Sequence, residues 1–206
     1  MIDEPTIFVV DDDAAIRKGL SVSLRERGLY VECFSSAEDF LDAPNNDRPG
    51  CLLLDLLMPN MTGLELQDRL LDSGLDIPII FLTAYGDIPI AARAMRNGAV
   101  DFLEKPYELS LLIKRIDEAL DQDRRQRIAR EKRDDVRTRF ARLSEREREV
   151  MGLLVAGAAN TSNRAIAETL NISHRTVETY RARLMEKMQA RSLPELVSMS
   201  ENCDLA

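Results

Sequence analysis

The chain has 206 residues, of which 45% are hydrophobic and 31% charged, and its formal net charge is −8. This composition is typical of a globular protein and excludes a disordered or fibrous chain. The charge is unevenly distributed, because residues 1–120 hold 22 acidic and 11 basic side chains, whereas residues 121–206 hold 14 and 17. The asymmetry predicts two domains with different partners.

Cysteine and histidine are scarce, which argues against several classes of function. The three cysteines form no Cys-x-x-Cys pair, so neither a disulfide framework nor a cysteine zinc site is expected. The single histidine, His174, argues against a Ser-His-Asp triad and a multi-histidine metal centre. No basic segment leads into a long apolar run at the N-terminus, and no stretch approaches the roughly 18 apolar residues of a membrane span. We therefore expect a cytoplasmic protein with no membrane partner.

The first 120 residues alternate short apolar runs with amphipathic stretches. Apolar runs of strand length are typical of strands that helices cover on both faces. The alternation predicts a doubly wound α/β domain, residues 1–120, around a five-stranded parallel sheet. The strand candidates are residues 6–10, 30–34, 51–55, 77–82 and 100–103.

Helical spacing fills the gaps between these runs. Ile16, Leu20 and Leu24 recur at intervals of four, and residues 109–120 carry a continuous apolar stripe. Asp13 and Asp87 precede two of the predicted helices and are candidate N-caps.

Residues 121–142 contain neither glycine nor proline and are rich in helix-forming residues. They predict a helical linker that continues the last helix of the first domain. The apolar positions of the linker are sparse, which favours a solvated spacer, but a dimer-forming helix remains the alternative.

Residues 143–206 are predicted to form an all-α domain of four helices. Ser144 and Glu147 form a capping box at the start of the first helix. The other helices are predicted over residues 163–170, 175–188 and 193–199. A short Asn-Ile-Ser turn joins the second helix to the third, which Ser173 caps. This helix-turn-helix arrangement is the one that places a recognition helix in the major groove of DNA.

Polar and charged side chains lie where the predicted strands end. Asp11 and Asp12 follow the first strand, Asp55 ends the third, and Thr83 and Lys105 follow the fourth and fifth. Doubly wound sheets bind ligands beyond the carboxyl ends of their strands, so these groups are expected to share one crevice. Three carboxylates repel one another unless a cation lies among them, and oxygen ligands favour Mg²⁺. One carboxylate can then act as a nucleophile toward a phosphoryl group that Mg²⁺, a hydroxyl and an ammonium hold.

Four motifs at four strand ends resemble the receiver domain of two-component response regulators. They are Val-Val-Asp-Asp at 9–12, Asp-Leu-Leu-Met-Pro-Asn-Met-Thr-Gly at 55–63, Leu-Thr-Ala at 82–84 and Asp-Phe-Leu-Glu-Lys-Pro at 101–106. The resemblance covers residues 5–120, with the motifs in the order and spacing of the family. It implies that a histidine kinase phosphorylates Asp55.

The same resemblance implies roles for individual residues. The ligands of Mg²⁺ would be Asp11, Asp12, Asp55 and the backbone carbonyl of Leu57. The groups that contact the phosphoryl would be Thr83, Ala84 and Lys105. Phe102 would be the aromatic that rotates inward with Thr83, although an aromatic within a strand is more often a core residue. The Lys105–Pro106 bond is usually cis in this family.

Two positions near the site depart from the common family pattern. Leu57 occupies a position where a polar or basic side chain is frequent, and Tyr85 stands where close relatives often carry histidine. Neither departure removes a group that phosphoryl transfer requires. Both are expected to tune the phosphoryl lifetime or the choice of partner.

The third helix of the second domain has two different faces. Val177, Tyr180, Leu184 and Met188 share one face and are expected to pack in the core. Arg175, Thr179, Ala182 and Arg183 fall on or near the opposite face, which is able to meet phosphates and base edges. A helical wheel of this helix supports two interpretations equally: a face that binds DNA, and a charged face that is only solvated.

Three segments, residues 143–150, 163–167 and 172–188, resemble the LuxR-type helix-turn-helix domain of the NarL/FixJ family. The resemblance covers residues 142–200 and is closest to the FixJ branch. It implies that the candidate DNA contacts are Arg175, Thr176, Glu178, Thr179, Arg181, Ala182 and Arg183.

One departure lies before the second helix. In relatives about two residues separate a glycine from the asparagine of the Asn-x-x-Ile-Ala motif, whereas five separate Gly157 from Asn163 here. A surface turn tolerates the longer connection, because loop entropy grows slowly with length. The alternative is that the insertion repositions the second helix against the DNA backbone.

Together the resemblances imply a transcriptional regulator of a two-component system. Phosphorylation of Asp55 by a histidine kinase would promote a homodimer that binds promoter DNA. No second set of catalytic residues lies outside the first domain, so an enzymatic output is not expected. The alternative function is a protein-interaction module whose altered helix-turn-helix no longer binds DNA, and salt-dependent binding of a duplex would distinguish the two.

Overall fold

The computed structural model describes residues 4–44, 48–84, 88–157 and 162–203. The chain divides into two compact units, Met1–Arg127 and Ile128–Ala206, which we call the N-terminal unit and the C-terminal unit. The division falls within the segment predicted as a linker, seven residues beyond the predicted end of the first domain. Each unit has its own hydrophobic core.

The N-terminal unit is built on a five-stranded, all-parallel sheet with the strand order β2-β1-β3-β4-β5, which confirms the predicted fold class. The strands are β1 Thr6–Val10, β2 Tyr30–Phe34, β3 Gly50–Asp55, β4 Ile79–Thr83 and β5 Asp101–Glu104. Strand β4 begins two residues later than predicted. Pro78 precedes it and has no N–H to donate to a ladder, although its carbonyl accepts from Leu52.

Alternate side chains of the central strands enter two cores on opposite faces of the sheet. Phe8, Leu52 and Phe81 pack in one core, whereas Ile7 and Leu53 pack in the other. Strands β1, β3 and β4 are buried at every position, as their continuous apolar sequences predict. The order of the strands brings the carboxyl ends of β1, β3 and β4 side by side.

The helices of the N-terminal unit begin at local capping signals. The predicted cap Asp13 accepts a 2.7 Å hydrogen bond from the amide of Ala15, and Thr62 forms a capping box with Glu65. The predicted cap Asp87 lies outside the described residues. The helices are α1 Ala14–Arg25, α2 Ala37–Leu41, α3 Gly63–Asp72 and α4 Ile88–Arg96, followed by α5 Leu109–Ala141, of which this unit contains the part up to Arg127.

The C-terminal unit contains the end of α5 and the helices α6 Glu145–Val155, α7 Asn163–Leu170, α8 His174–Met188 and α9 Leu193–Glu201. Val150, Val177 and Leu184 are fully buried in its core. Val136 is buried there as well, so this part of the predicted linker contributes to a core. No helix among the described residues combines the length and the apolar character needed to cross a bilayer.

Candidate functional site

Three predicted site residues are buried at the carboxyl edge of the sheet. Asp11 follows β1, Asp55 ends β3, and Thr83 ends β4. Their exposed fractions are 2%, 7% and 1%, although the side chains are polar or charged. Burying such groups is costly unless they are paired and hydrogen-bonded, so their partners define the site.

Lys105 is the partner of both buried carboxylates. Its Nζ lies 2.6 Å from Asp55 Oδ1 and 2.7 Å from Asp11 Oδ2. Its backbone amide donates a 2.6 Å hydrogen bond to the carbonyl of Thr83, which fixes the chain after β5 beside the end of β4. The Lys105–Pro106 peptide bond is cis, as the resemblance implies. Two carboxylates from two strand ends therefore meet around one ammonium group, and the backbone of Lys105 is held at a third strand end.

The pKa values of this cluster follow from burial and charge. Burial raises the pKa of Asp55, and the charge of Asp11 adds to that effect, whereas Lys105 opposes it. Burial lowers the pKa of Lys105, but the two carboxylates outweigh burial and the net pKa is raised. Lys105 therefore stays positively charged, and its charge favours the ionised form of Asp55.

Backbone amides hold the second oxygen of each buried carboxylate. Asp55 Oδ2 accepts from the amide of Leu57 at 2.8 Å, and Asp11 Oδ1 accepts from the amide of Asp13 at 2.8 Å. Each carboxylate thus presents one oxygen to Lys105 and the other to its own loop. This arrangement fixes both side chains with little freedom of rotation.

The remaining predicted residues lie around this centre. Asp12, Leu57 and Ala84 are exposed, and 54% of the Leu57 side chain is accessible. Phe102 is half-buried, and its ring centroid lies 6.1 Å from that of Phe81. Within the described residues, no three acidic, histidine or cysteine side chains are already arranged as a metal centre. Tyr85 lies outside the described part of the chain.

Two residues near the site were not predicted from the sequence. Arg17 Nη1 donates a 2.7 Å hydrogen bond to the carbonyl of Asp11, which steadies the loop after β1. Tyr107 is half-buried near Lys105, and burial raises its pKa more than the charge of Lys105 lowers it. Arg17 lies one turn into α1, close along the chain to Asp11, so its contact with that loop could be expected from the sequence. No comparable sequence pattern points to Tyr107.

The helix-turn-helix of the C-terminal unit is formed by α7, a left-handed turn residue and α8. Asn171 adopts a φ of 54°, which asparagine tolerates better than most residues. Ser173 then caps α8 by accepting from the amide of Thr176 at 3.1 Å. The helix begins at His174, one residue earlier than predicted.

The faces of α8 agree with the helical wheel. Val177, Leu184 and Met188 are fully buried. The candidate DNA contacts that are exposed are Arg175, Glu178, Thr179, Ala182 and Arg183.

Two further candidates interact within the protein. Arg181 is half-buried and donates from Nη1 to Asn163 Oδ1 at 3.0 Å, which joins α8 to the first residue of α7. Thr176 Oγ1 lies 2.7 Å from Ser173 Oγ. These contacts give both side chains a role in holding the helix-turn-helix together. Of the extra residues before Asn163, residues 158–161 lie outside the described part of the chain.

A buried ion pair supports the same unit. Glu147 is 2% exposed, and its Oε2 accepts from Lys187 Nζ at 2.6 Å and from the amide of Ser144 at 2.8 Å. Lys187 lies in the last turn of α8, so this contact fixes the recognition helix against the start of α6. The sequence predicted the capping box but not the ion pair.

The fold and the two sites define a class of protein: an acidic α/β domain with a lysine-bridged aspartate, followed by a helix-turn-helix domain. Comparison with known families agrees. Residues 7–117 match the response regulator receiver domain, and residues 141–200 match the luxR family of bacterial regulatory proteins.

Individual relatives match almost the whole chain. The transcriptional regulatory protein FixJ of Rhizobium meliloti is 44% identical over 195 residues, covering 95% of this chain and 94% of the relative. The response regulator protein TodT of Pseudomonas putida is 40% identical over 195 residues, covering 95% and 85%.

Solved structures give the same result. The low-resolution structure of the response regulator StyR is 42% identical, with a TM-score of 0.81 over 96% of this chain and 98% of that one. Full-length FixJ from B. japonicum is 42% identical, with a TM-score of 0.58 over 98% of each chain.

The chain therefore belongs to the two-component response regulators that join a receiver domain to a luxR-family DNA-binding domain. It is a phosphorylation-dependent regulator of transcription, with a histidine kinase and DNA as partners.

Proposed function

We propose that Asp55 is the phosphoacceptor of this regulator. The observation that supports this assignment is the 2.6 Å contact between Asp55 Oδ1 and Lys105 Nζ in a buried crevice at the ends of the strands. A carboxylate oxygen of Asp55 would attack the phosphorus of a phosphohistidine on the kinase. The new O–P bond forms as the N–P bond breaks, and the histidine nitrogen leaves with the bonding electron pair.

The neighbouring residues would hold the transferred group. Lys105 neutralises negative charge on the phosphoryl oxygens, and the hydroxyl of Thr83 and the backbone at Ala84 lie at the end of the adjacent strand. Catalysis of this kind consists of positioning and charge stabilisation, which a fixed ammonium and buried donors provide. The raised pKa of Lys105 keeps the ammonium charged during the transfer.

The donor set also fits Mg²⁺. The carboxylates of Asp11, Asp12 and Asp55 and the carbonyl of Leu57 are hard oxygen ligands, and Mg²⁺ keeps several of its waters. Lys105 lies between two of these carboxylates, and this contact supports the proposal that the crevice accommodates positive charge. When bound, Mg²⁺ would neutralise charge on the phosphoryl oxygens.

Phosphorylation is proposed to act through Thr83 and Phe102. Thr83 ends β4, and Phe102 lies on β5 with its ring against Phe81. A rearrangement of these residues would change the face formed by α4, β5 and the start of α5. We propose that this face forms a homodimer after phosphorylation.

A dimer would present two α8 helices to promoter DNA in the cytoplasm. Dimer symmetry then predicts two half-sites related by a pseudo-twofold axis. Arg175 and Arg183 are exposed on α8 and are proposed to contact phosphates or base edges. The remaining proposed contacts are Thr176, Glu178, Thr179 and Ala182, whereas Arg181, also a candidate from the sequence, is proposed to hold the helix-turn-helix together through Asn163. Residues 143–206 have no excess of positive charge, so the doubled contacts of a dimer would supply the affinity.

The test is a genome-wide selection of bound DNA with the full chain, with and without treatment by a small acyl phosphate. The wild type is expected to gain mass from one phosphoryl group, to dimerise and to enrich palindromic sites, with binding that weakens steeply with salt. Asp55→Asn is expected to lose all three responses, whereas Asp72→Asn, an exposed aspartate at the end of α3, should retain them. Equal enrichment by the wild type and Asp55→Asn would overturn the assignment.

A further inference from the structure

A further buried carboxylate lies at the opposite edge of the sheet. Asp123 is 2% exposed, although it lies in the charged segment that the sequence predicts to be a linker. Its Oδ2 accepts a 3.0 Å hydrogen bond from the amide of Gly50, and both its oxygens accept from Arg127 Nε, at 2.9 and 3.0 Å. We call Gly50, Asp123 and Arg127 the Asp123 cluster. It joins α5 to the first residue of β3.

The Asp123 cluster is continued by a second arginine. Arg127 Nη2 donates to the carbonyl of Arg48 at 2.8 Å. The Arg48 guanidinium pairs with both oxygens of Glu32 on β2, at 2.9 and 2.6 Å, and lies 5.3 Å from the centre of the Phe8 ring. Helix α5 is thereby connected to three strands by directional contacts.

Asp123 lies in buried, apolar surroundings, where the loss of a hydrogen bond to a charged group costs more stability than it does at the surface. The neighbouring Cys51 is fully buried, and its pKa is raised strongly, first by burial and then by the charge of Asp123. Removing one partner of a buried, hydrogen-bonded charge is far more damaging than removing an exposed one. The contacts of Asp123 therefore impose one arrangement on this part of α5.

Apolar packing cannot substitute for the polar contacts that hold this part of α5 against the sheet. Between Leu120 and Val136 the one large apolar residue is Ile128, which is 46% exposed. A helical segment without a buried apolar face gains little from tertiary packing and frays readily. The receiver match ends at residue 117, so Asp123 and Arg127 lie beyond it but within the N-terminal unit.

We infer that Asp123 and Arg127 are positioning residues that attach α5 to strand β3, and that the phosphorylation-dependent gain in DNA affinity requires this attachment. Strand β3 begins at Gly50, in the Asp123 cluster, and ends at Asp55, the proposed phosphoacceptor. A change at the carboxyl end of β3 can be carried to residues beyond Arg127 through a rigid, hydrogen-bonded connection between this strand and α5. This inference rests on the proposed function of Asp55.

The test uses the full chain and three cluster variants, Asp123→Asn, Arg127→Gln and the milder Arg127→Lys. The matched control is Asp121→Asn, because Asp121 makes an exposed i,i+3 ion pair with Arg124 in the same helix. Two quantities are measured: the rate of phosphorylation by a small acyl phosphate, and the ratio of DNA affinities with and without phosphorylation. The DNA is the duplex most enriched by the wild type.

The cluster variants are expected to be phosphorylated within about twofold of the wild-type rate, while the affinity ratio falls about fivefold or more, the lower end of common coupling strengths. Asp121→Asn should match the wild type in both quantities. Asp123→Asn combined with Arg127→Gln should lose no more than the stronger single variant, because the two residues act through one contact.

An affinity ratio that stays at the wild-type value in Asp123→Asn and Arg127→Gln would overturn the inference. An equal loss in Asp121→Asn would also overturn it, because a general effect of charge would then explain the result. If the wild type itself shows no gain in affinity on phosphorylation, the proposed function fails instead, so the two failures are distinguishable.

Discussion

Gly63 and Asp55 approach so closely that a Cβ atom at position 63 would lie 2.4 Å from the carbonyl oxygen of Asp55. The same Cβ would lie 3.1 Å from side-chain atoms of Leu54 and Phe81. The amide of Gly63 also donates to the carbonyl of Leu56 at 3.0 Å. The loop after β3 therefore closes back on Asp55, the proposed phosphoacceptor, because residue 63 has no side chain.

Gly63→Ala is expected to distort this loop and lower the rate of phosphorylation of Asp55. The free energy of unfolding of the N-terminal unit should fall by about 2 kcal/mol, as is common for overpacking of a rigid site. Urea unfolding and mass spectrometry after acyl phosphate treatment measure the two effects. Gly19→Ala is the control, because nothing lies within 4 Å of a Cβ at that helical position. A Gly63→Ala protein that matched Gly19→Ala in both measurements would contradict the prediction.

Lys105→Met is expected to raise the pKa of Asp55 further in the metal-free protein. The reason is that Lys105 opposes the effects of burial and of Asp11, so its loss leaves both uncompensated. The carboxyl resonance of Asp55, followed by NMR as a function of pH, measures the shift. The phosphorylation rate should fall about 100-fold, since one preorganised charge is lost from the transfer.

Lys114→Met is the control for loss of one positive charge, since Lys114 is exposed on α5. It should leave both the resonance and the phosphorylation rate unchanged. A fall of the Asp55 pKa in Lys105→Met would refute the assigned electrostatics.

The stability of the C-terminal unit is expected to depend on pH through Glu147. Burial raises the pKa of Glu147, but Lys187 and Ser144 outweigh burial, so the folded-state pKa lies below the ordinary value of 4.5. A carboxyl with a lowered pKa stabilises the fold above its ordinary pKa, and this contribution is lost as the pH falls below about 4.5.

Glu147→Gln should therefore be less stable than the wild type at neutral pH, and the difference should shrink as the pH falls below 4.5. Urea unfolding followed through methyl signals of Val177 and Leu184 measures the C-terminal unit specifically. Glu145→Gln is the matched control, because Glu145 is exposed in the same helical turn. A difference between Glu147→Gln and wild type that persists unchanged at low pH would argue against this role.

Arg183 and Arg181 are expected to affect DNA binding in different ways. Arg183→Ala should weaken binding and reduce the slope of log affinity against log salt by about 1, as loss of one phosphate contact does. Arg181→Ala should instead loosen the junction with Asn163, lowering the stability of α7 while leaving the salt slope nearly unchanged. Titrations of a duplex at several salt concentrations, with hydrogen exchange of α7 amides, separate these outcomes. A salt slope reduced equally in both variants would assign Arg181 to the DNA as well.

The parallel sheet and much of the site at its carboxyl edge follow from the sequence. Apolar runs of strand length can be buried on both faces only in a covered parallel sheet, and parallel strands end at a common edge. The sequence therefore predicts that Asp11, Asp55 and Thr83 lie together at this edge. The caps Asp13 and Ser144 were predictable as well, because a capping side chain bonds an amide two or three residues away.

Only the tertiary structure decided which charged side chains become buried partners. The sequence predicts that Lys105 and Asp55 share one crevice, but not that their side chains bond directly. The amide of Gly50 is 73 positions from Asp123, and no local pattern reports that pair. In the run of charges after residue 120, Asp123 continues the helical spacing of buried Ile116 and Ala119, but its charged side chain gives no sign that this position is buried. The burial of a helical side chain depends on which face of the helix packs against the sheet, and packing over the whole domain sets that face. Strands, caps and turns are instead predicted by residues that are neighbours along the chain.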